Sequence, residues 1–71
     1  MKVQFRIKEI EESGDYFYTV EKKNLFSWRN VLKGNRYKKF FKSEEECEEW
    51  IYNYVCENNL NPDEVVIQNL C

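Results

Sequence analysis

Only one stretch of this 71-residue chain has the periodicity of an α-helix, and it fixes where the helix of the fold must lie. Ser43-Glu44-Glu45-Glu46 is a capping box, in which the side chains of the first and last residues accept hydrogen bonds from each other's backbone amides. Apolar side chains then recur at the spacing of a helix that lies on a core, namely at Cys47, Trp50, Ile51, Tyr54 and Val55. We expect the helix to end near Glu57, because Asn58-Asn59 suits a left-handed cap and Pro62 prevents continuation.

The segments on either side of this helix contain the alternating apolar and polar residues of strands. A polar turn over residues 11–15 contains Gly14, which is free to take a positive φ, so the first two strands form an antiparallel hairpin. We interpret residues 28–32 as a strand fragment, separated from the third main strand by a turn at 33–36. The predicted main strands span residues 2–10, 16–23, 36–41 and 64–69.

These elements predict an α+β fold: a small, mostly antiparallel β-sheet with one α-helix packed on one face, in the order β-β-β-α-β. The helix returns the chain, so the last strand runs parallel to strands one and three. It can lie beside either of them, and only a right-handed crossover is fixed. No linker, repeat or low-complexity segment interrupts the sequence, which indicates a single domain over residues 1–71.

The composition indicates a compact domain, with 42% apolar and 17% aromatic residues. Apolar runs are far shorter than the roughly 20 residues that cross a bilayer, and the N-terminus lacks the apolar stretch of a secretion signal. Cys47 and Cys56 lie nine positions apart, which on one helix is roughly 13 Å and too far for a disulfide. We therefore expect reduced thiols in a cytoplasm, with Cys47 in the core and the terminal Cys71 exposed.

Residues for catalysis are missing from the sequence. The chain has no histidine, so the commonest general base, the triad imidazole and the usual zinc ligand are absent. Its carboxylates cluster on the predicted helix, and it has neither a phosphate-binding glycine loop nor metal-ligand spacing. We predict no enzymatic activity, no catalytic residue, no metal and no cofactor.

Charge is strongly segregated along the chain. Residues 22–42, here called the basic segment, contain eight cations and no acid, whereas residues 43–71 contain eight acids and no cation. The helix dipole favours the glutamates at 44–46, and a solvated helix face accounts for Glu48 and Glu49. No property of strands or loops requires eight cations in 21 residues, so the basic segment is the candidate binding surface.

Two kinds of partner fit this surface. Interleaved cations and rings are typical of RNA or DNA binding, but a small core needs the same rings, and the cations can instead pair with the acidic helix or with an acidic partner. Our leading interpretation is contact with a protein, and contact with RNA or DNA is the alternative. Trp28 is either an exposed anchor of the contact or a cover for the open end of the core. The candidate binding residues are Lys22, Lys23, Trp28, Arg29, Lys33, Arg36, Lys38, Lys39 and Lys42.

Two stretches carry a family resemblance: Tyr16 to Arg29, with Leu25-Phe26-Ser27-Trp28-Arg29 at its end, and Phe41-Lys42-Ser43-Glu44-Glu45-Glu46-Cys47. Over roughly residues 16–52 the chain resembles small accessory proteins of tailed bacteriophages and prophages, which combine a Leu-Phe-x-Trp turn with a Phe-x-Ser/Thr-x-Glu-Glu-Ala helix start. Cys47 stands where those proteins usually have alanine, and the turn at 33–36 is an insertion. The resemblance implies an accessory protein, made in a bacterial host, that binds a host or phage macromolecule.

Overall fold

A computed structural model describes residues 2–70, and it confirms the small α+β fold in the order β-β-β-α-β. The elements are β1 (Val3–Glu12), β2 (Asp15–Lys23), β3 (Trp28–Asn30), α1 (Glu44–Glu57) and β4 (Val65–Leu70). The four strands form one sheet in the order β3-β2-β1-β4, and α1 packs against it. A single turn of 3₁₀-helix, Pro62–Glu64, leads into β4.

The hairpin of β1 and β2 is longer than predicted because pairing continues to a two-residue turn. Glu12 lies opposite Asp15, and the turn residues Ser13 and Gly14 both have positive φ, 54° and 84°. Two positive φ angles match the right-handed twist of the flanking strands, which is why glycine suits the second position.

The last strand lies beside the first. Strand β4 pairs in parallel with β1 from Val3 opposite Val65 onward, which decides between the two positions that the sequence left open. The other edge of the hairpin is already occupied, since β3 and Phe41 both pair with β2.

The prediction of a third main strand at residues 36–41 is wrong. The side-chain oxygen of Asn35 accepts from the amides of Tyr37 and Lys38, at 2.8 and 2.9 Å, and this turn keeps the chain from running extended along the sheet. Within this segment only Phe41 pairs with the sheet, where it exchanges two backbone hydrogen bonds with Tyr18. The third strand lies instead within the predicted fragment at 28–32. Both β3 and Phe41 therefore pair with the same edge of β2, and a ten-residue excursion, 31–40, connects them.

The core lies between the sheet and α1. The predicted helical stripe is confirmed, with Cys47, Ile51 and Val55 buried against β1, β2 and Phe41, and with Trp50 and Tyr54 half-buried beside them. Both of these rings meet the ring of Phe5 edge-on, with centroids 6.4 and 5.7 Å away. The buried side chains are Phe5, Ile7, Val20, Leu32, Phe41, Cys47, Ile51 and Val55, with Thr19 as the buried polar residue.

Both ends of α1 are capped. The Ser43 hydroxyl accepts from the Glu46 amide at 3.2 Å as predicted, but the Glu46 carboxylate accepts from the amide of Lys42, one residue before the expected partner. At the other end Asn59 has a φ of 53°, and the Leu60 amide donates to the carbonyl of Val55. This is a Schellman cap, and it brings Leu60 against the core.

Candidate binding surfaces of the basic segment

The fold divides the basic segment into two groups of cations. Lys22 and Lys23 lie on β2, Arg29 lies on β3, and Lys33 lies in the turn that follows. The second group comes from the irregular stretch before α1 and contains Lys38, Lys39 and Lys42. Arg36 is exposed between the two groups.

The first group borders a cavity that also contains aromatic rings. Lys22, Arg29 and Lys33 share a surface cavity of about 300 Å³ with Trp50 and Tyr54, and we call these five residues the cation–aromatic cavity. The two rings are stacked, with centroids 5.4 Å apart and planes 18° apart. Lys22 and Arg29 lie directly opposite each other across β2 and β3, so two like charges face one another.

The rings of this cavity were absent from the predicted site. Trp50 and Tyr54 belong to the helical stripe, so the sequence identifies them as core residues. The stripe does not show which flank of the helix borders the cations. The signal that could have found them is their spacing of four residues, which places both on the same side of α1.

Exposed apolar side chains lie next to the first group. The loop between β2 and β3 presents Leu25 and Phe26, which are 88% and 96% exposed. Leu25 borders a cavity of about 430 Å³ together with Lys2, Lys22 and Lys23. Lys2 lies outside the basic segment, so it adds a cation that was absent from the predicted site.

The second group forms a mixed surface, which we call the lysine–aromatic surface: Tyr37, Lys38, Lys39, Phe40 and Lys42. These five residues and Phe17 border a cavity of about 400 Å³, and Tyr37 is almost fully exposed. Phe40 packs on Phe17 with ring centroids 5.4 Å apart, which holds this surface on the sheet. The ammonium of Lys38 lies 4.9 Å from the ring centroid of Phe41.

Trp28 neither covers the open end of the core nor forms an exposed anchor. It is half-buried, and the guanidinium carbon of Arg6 lies 4.3 Å from its ring centroid. Arg6 alternates along β1 with the buried Phe5 and Ile7, so this contact lies on the sheet face opposite the helix. Glu21 fixes the arginine, accepting from its Nε at 2.6 Å.

The cations of the basic segment are not neutralised by direct pairing. Within residues 2–70 none of the eight forms an ion pair with an acid, whereas Arg6 and Lys8 outside the segment both pair with Glu21. Lys38 shares a cavity with Glu46 and Glu49 but forms no ion pair with either. The folded chain therefore presents these charges to solvent or to a partner.

The thiol of Cys47 is not activated as a nucleophile. Burial, reinforced by the nearby glutamates, raises the pKa of Cys47 to about 11, so at neutral pH this thiol is protonated. Cys47 and Cys56 are both free, the first buried and the second exposed. Cys71 lies outside the described residues.

Among residues 2–70 no three His, Cys, Asp or Glu side chains are grouped so as to hold a metal ion. No helix in this range is long and apolar enough to span a membrane. Comparison of the chain with protein-family models, with curated proteins and with solved structures finds no match.

Proposed function

We propose that this protein is a non-enzymatic binding module that engages an acidic surface of another protein through its basic segment. The observation that carries the proposal is the eight cations without an ion pair in the described chain. Keeping Lys22 and Arg29 opposite each other destabilises the sheet when no anion lies between them. An acidic partner would relieve this repulsion and would gain charge complementarity along the whole surface.

Exposed apolar groups beside the cations support a macromolecular partner over a small anion. Phe26 and Tyr37 are each more than nine-tenths exposed, one next to each cation group. Large rings that lose their hydration on contact are the side chains that dominate the energy of protein interfaces. The two cation groups would supply steering and orientation, and the rings would supply buried area.

RNA is the second candidate partner, favoured by the same rings. Single-stranded RNA stacks its bases on exposed aromatic side chains while lysines neutralise its phosphates. The lysine–aromatic surface offers both groups within six residues of chain. For either partner, an accessory role in a phage-infected bacterial cytoplasm is a proposal that rests on the sequence resemblance over residues 16–52.

The test is capture of a partner from bacterial lysate by the immobilised protein, with and without nuclease, over a range of NaCl concentrations. A protein partner survives nuclease treatment and is lost as salt rises, because exposed charges are screened within about 8 Å at physiological ionic strength. An RNA partner is lost on nuclease treatment, and its log affinity falls linearly with log salt.

Matched charge reversals make the test specific to the surface. Lys39→Glu and Lys42→Glu reverse exposed cations of the lysine–aromatic surface, whereas Lys8→Glu makes the same change in net charge on β1, outside the basic segment. We expect the first two variants to retain several-fold less partner and the third to retain as much as the unaltered chain. Equal retention by all three would refute the proposal.

A further inference from the structure

A second surface lies at the opposite edge of the sheet from the basic segment. An open groove of about 570 Å³ runs between α1 and β4, and its floor and walls are mainly apolar. Tyr52 and Ile67 border it and are 68% and 45% exposed, although both belong to regular elements. Exposed apolar side chains that converge on one groove mark an interaction site more than single exposed ones do.

The strand that forms one wall of the groove has features of a template for strand addition. β4 is the end strand of the sheet, and its sequence Val-Val-Ile-Gln-Asn-Leu contains neither a charge nor a proline. Natural proteins usually protect such an edge with a lysine, a proline, a bulge or a very short strand. The other end strand, β3, is protected, since it has three residues and one of them is Arg29.

The groove is built before any partner arrives. The amide group of Asn69 donates to the carboxylate of Glu44 at 3.0 Å, which joins the end of β4 to the start of α1. At the other end, the Schellman cap and the Asn61 side chain, which accepts from the amide of Asp63, fix the connection between helix and strand. An added strand would therefore meet a preformed wall and floor.

The charge of the groove selects its occupant. Its rim contains Glu45, Glu48 and Glu49, and no lysine or arginine of the described residues 2–70 lines it. A lysine or arginine can lay its aliphatic stem on the apolar wall and place its charge at this rim. Pairing of β4 with β4 of a second copy would instead bring two such acidic rims together on one face, because antiparallel addition keeps both helices on the same side of the sheet.

We propose that this groove, with the edge of β4, binds an extended basic segment of another polypeptide as an additional strand of the sheet. Main-chain hydrogen bonds to β4 would supply affinity, and alternate lysine or arginine side chains in the groove would supply selectivity. This surface shares no residue with the basic segment, so it would let the protein hold an acidic partner and a basic one at the same time.

The probe is a blocked nine-residue peptide that alternates lysine and valine, and its matched control carries glutamate in place of lysine. Binding to the full chain is measured by calorimetry, together with the mass of the protein by light scattering. We expect the lysine peptide to bind and the glutamate peptide not to bind. Ile67→Lys, which places a charge on the edge strand, should abolish binding, and Lys39→Glu should leave it unchanged.

Neutral substitutions separate the role of the rim from that of the fold. The double variant Glu45→Gln and Glu48→Gln removes two rim charges. An exposed ion pair contributes about 0.2–1 kcal/mol, so losing two of them should lower the affinity for the lysine peptide by roughly twofold to thirtyfold. Glu57→Gln, on the same helix but outside the groove, should bind as the unaltered chain does, and thermal unfolding confirms that each variant is folded. Three results would each overturn the proposal: equal binding of both peptides, an affinity for the lysine peptide that the rim substitutions do not change, or a concentration-dependent dimer that Ile67→Lys abolishes.

Discussion

Replacing Arg29 by glutamate should make the protein more stable. Arg29 is exposed on β3 and lies opposite Lys22, with Lys33 bordering the same cavity. None of these three cations has an ion pair within the described chain. Glutamate at this position replaces repulsion across the strands with attraction, while adding no bulk to the core.

The size of the effect follows from the register. Opposite charges on directly paired residues of an antiparallel sheet contribute about 0.2–1 kcal/mol, and like charges destabilise. Changing one pair into the other should therefore raise the free energy of unfolding by about 0.5–1.5 kcal/mol. For a domain of this size, each kcal/mol shifts Tm by about 4–8 °C, so the expected rise is roughly 2–12 °C.

Thermal unfolding followed by circular dichroism at low and high NaCl measures this change. The gain should shrink at 1 M salt, where the Debye length is about 3 Å. Arg36→Glu makes the same change in net charge on an exposed residue that faces no cation across a strand, and it should leave Tm almost unaltered. A lower Tm for Arg29→Glu, an equal rise in Arg36→Glu, or a rise that salt does not reduce would show that repulsion between Lys22 and Arg29 does not destabilise the sheet.

Three further predictions concern the core, the cap and the thiols. Phe41→Ala should cost about 3–5 kcal/mol, because the ring is 2% exposed; that is a large part of the roughly 4–11 kcal/mol expected for a chain of this length, so denaturant unfolding should show a much lower midpoint concentration. Asn59→Val should cost about 1–2 kcal/mol by the same measurement, since its φ of 53° strains a β-branched residue, whereas Asn59→Gly should be nearly neutral. At pH 8 the exposed Cys56 should react quickly with iodoacetamide and the buried Cys47 only when the chain unfolds, as measured by mass spectrometry in a Cys71→Ser background. Because the raised pKa of Cys47 means that the unfolded chain loses this proton first, stability should fall as pH rises from about 9 to about 11, and less so in Cys47→Ala.

The parts of the fold that depend on local rules could be predicted from the sequence. The capping box and the helical stripe predicted the position of α1 correctly. The predicted left-handed cap is confirmed at Asn59. Alternation and Gly14 placed the hairpin of β1 and β2. In each case the residues that determine the structure lie within a few positions of one another, so the pattern is complete in a short window.

The third strand was predicted only as a fragment, because residues 36–41 have a composition more typical of a main strand. Residues 36–41 are rich in aromatic side chains, yet the Asn35 side chain turns the chain away from the sheet, and only Phe41 pairs with β2. The three residues Trp28–Asn30 form the strand because they follow a short loop back along the free edge of β2. Such competition between segments for one edge is a tertiary effect that no local pattern contains.

The sequence predicted which segment contains the candidate site, but not how its residues are arranged on the folded surface. The eight cations of the basic segment were identified, but Lys2 beside the first group was not. The separation into two groups follows from the excursion 31–40, which no local pattern predicts. The Trp50 and Tyr54 rings enter the first group from a distant helix, and Trp28 lies under Arg6 on the other face. The groove at β4 depends on strand order, which the sequence left open.

Amide chemical-shift mapping can show whether the unpaired cations of the basic segment form the contact surface that we propose. The labelled protein is titrated at low salt with a ten-residue polyglutamate peptide and, separately, with a ten-nucleotide uridine RNA. We predict shifts within residues 22–42 and in Trp50 and Tyr54 that disappear at 0.5 M NaCl, with the stronger ligand indicating the class of partner. Shifts confined to residues 60–70, or no shifts at millimolar ligand, would contradict this proposal.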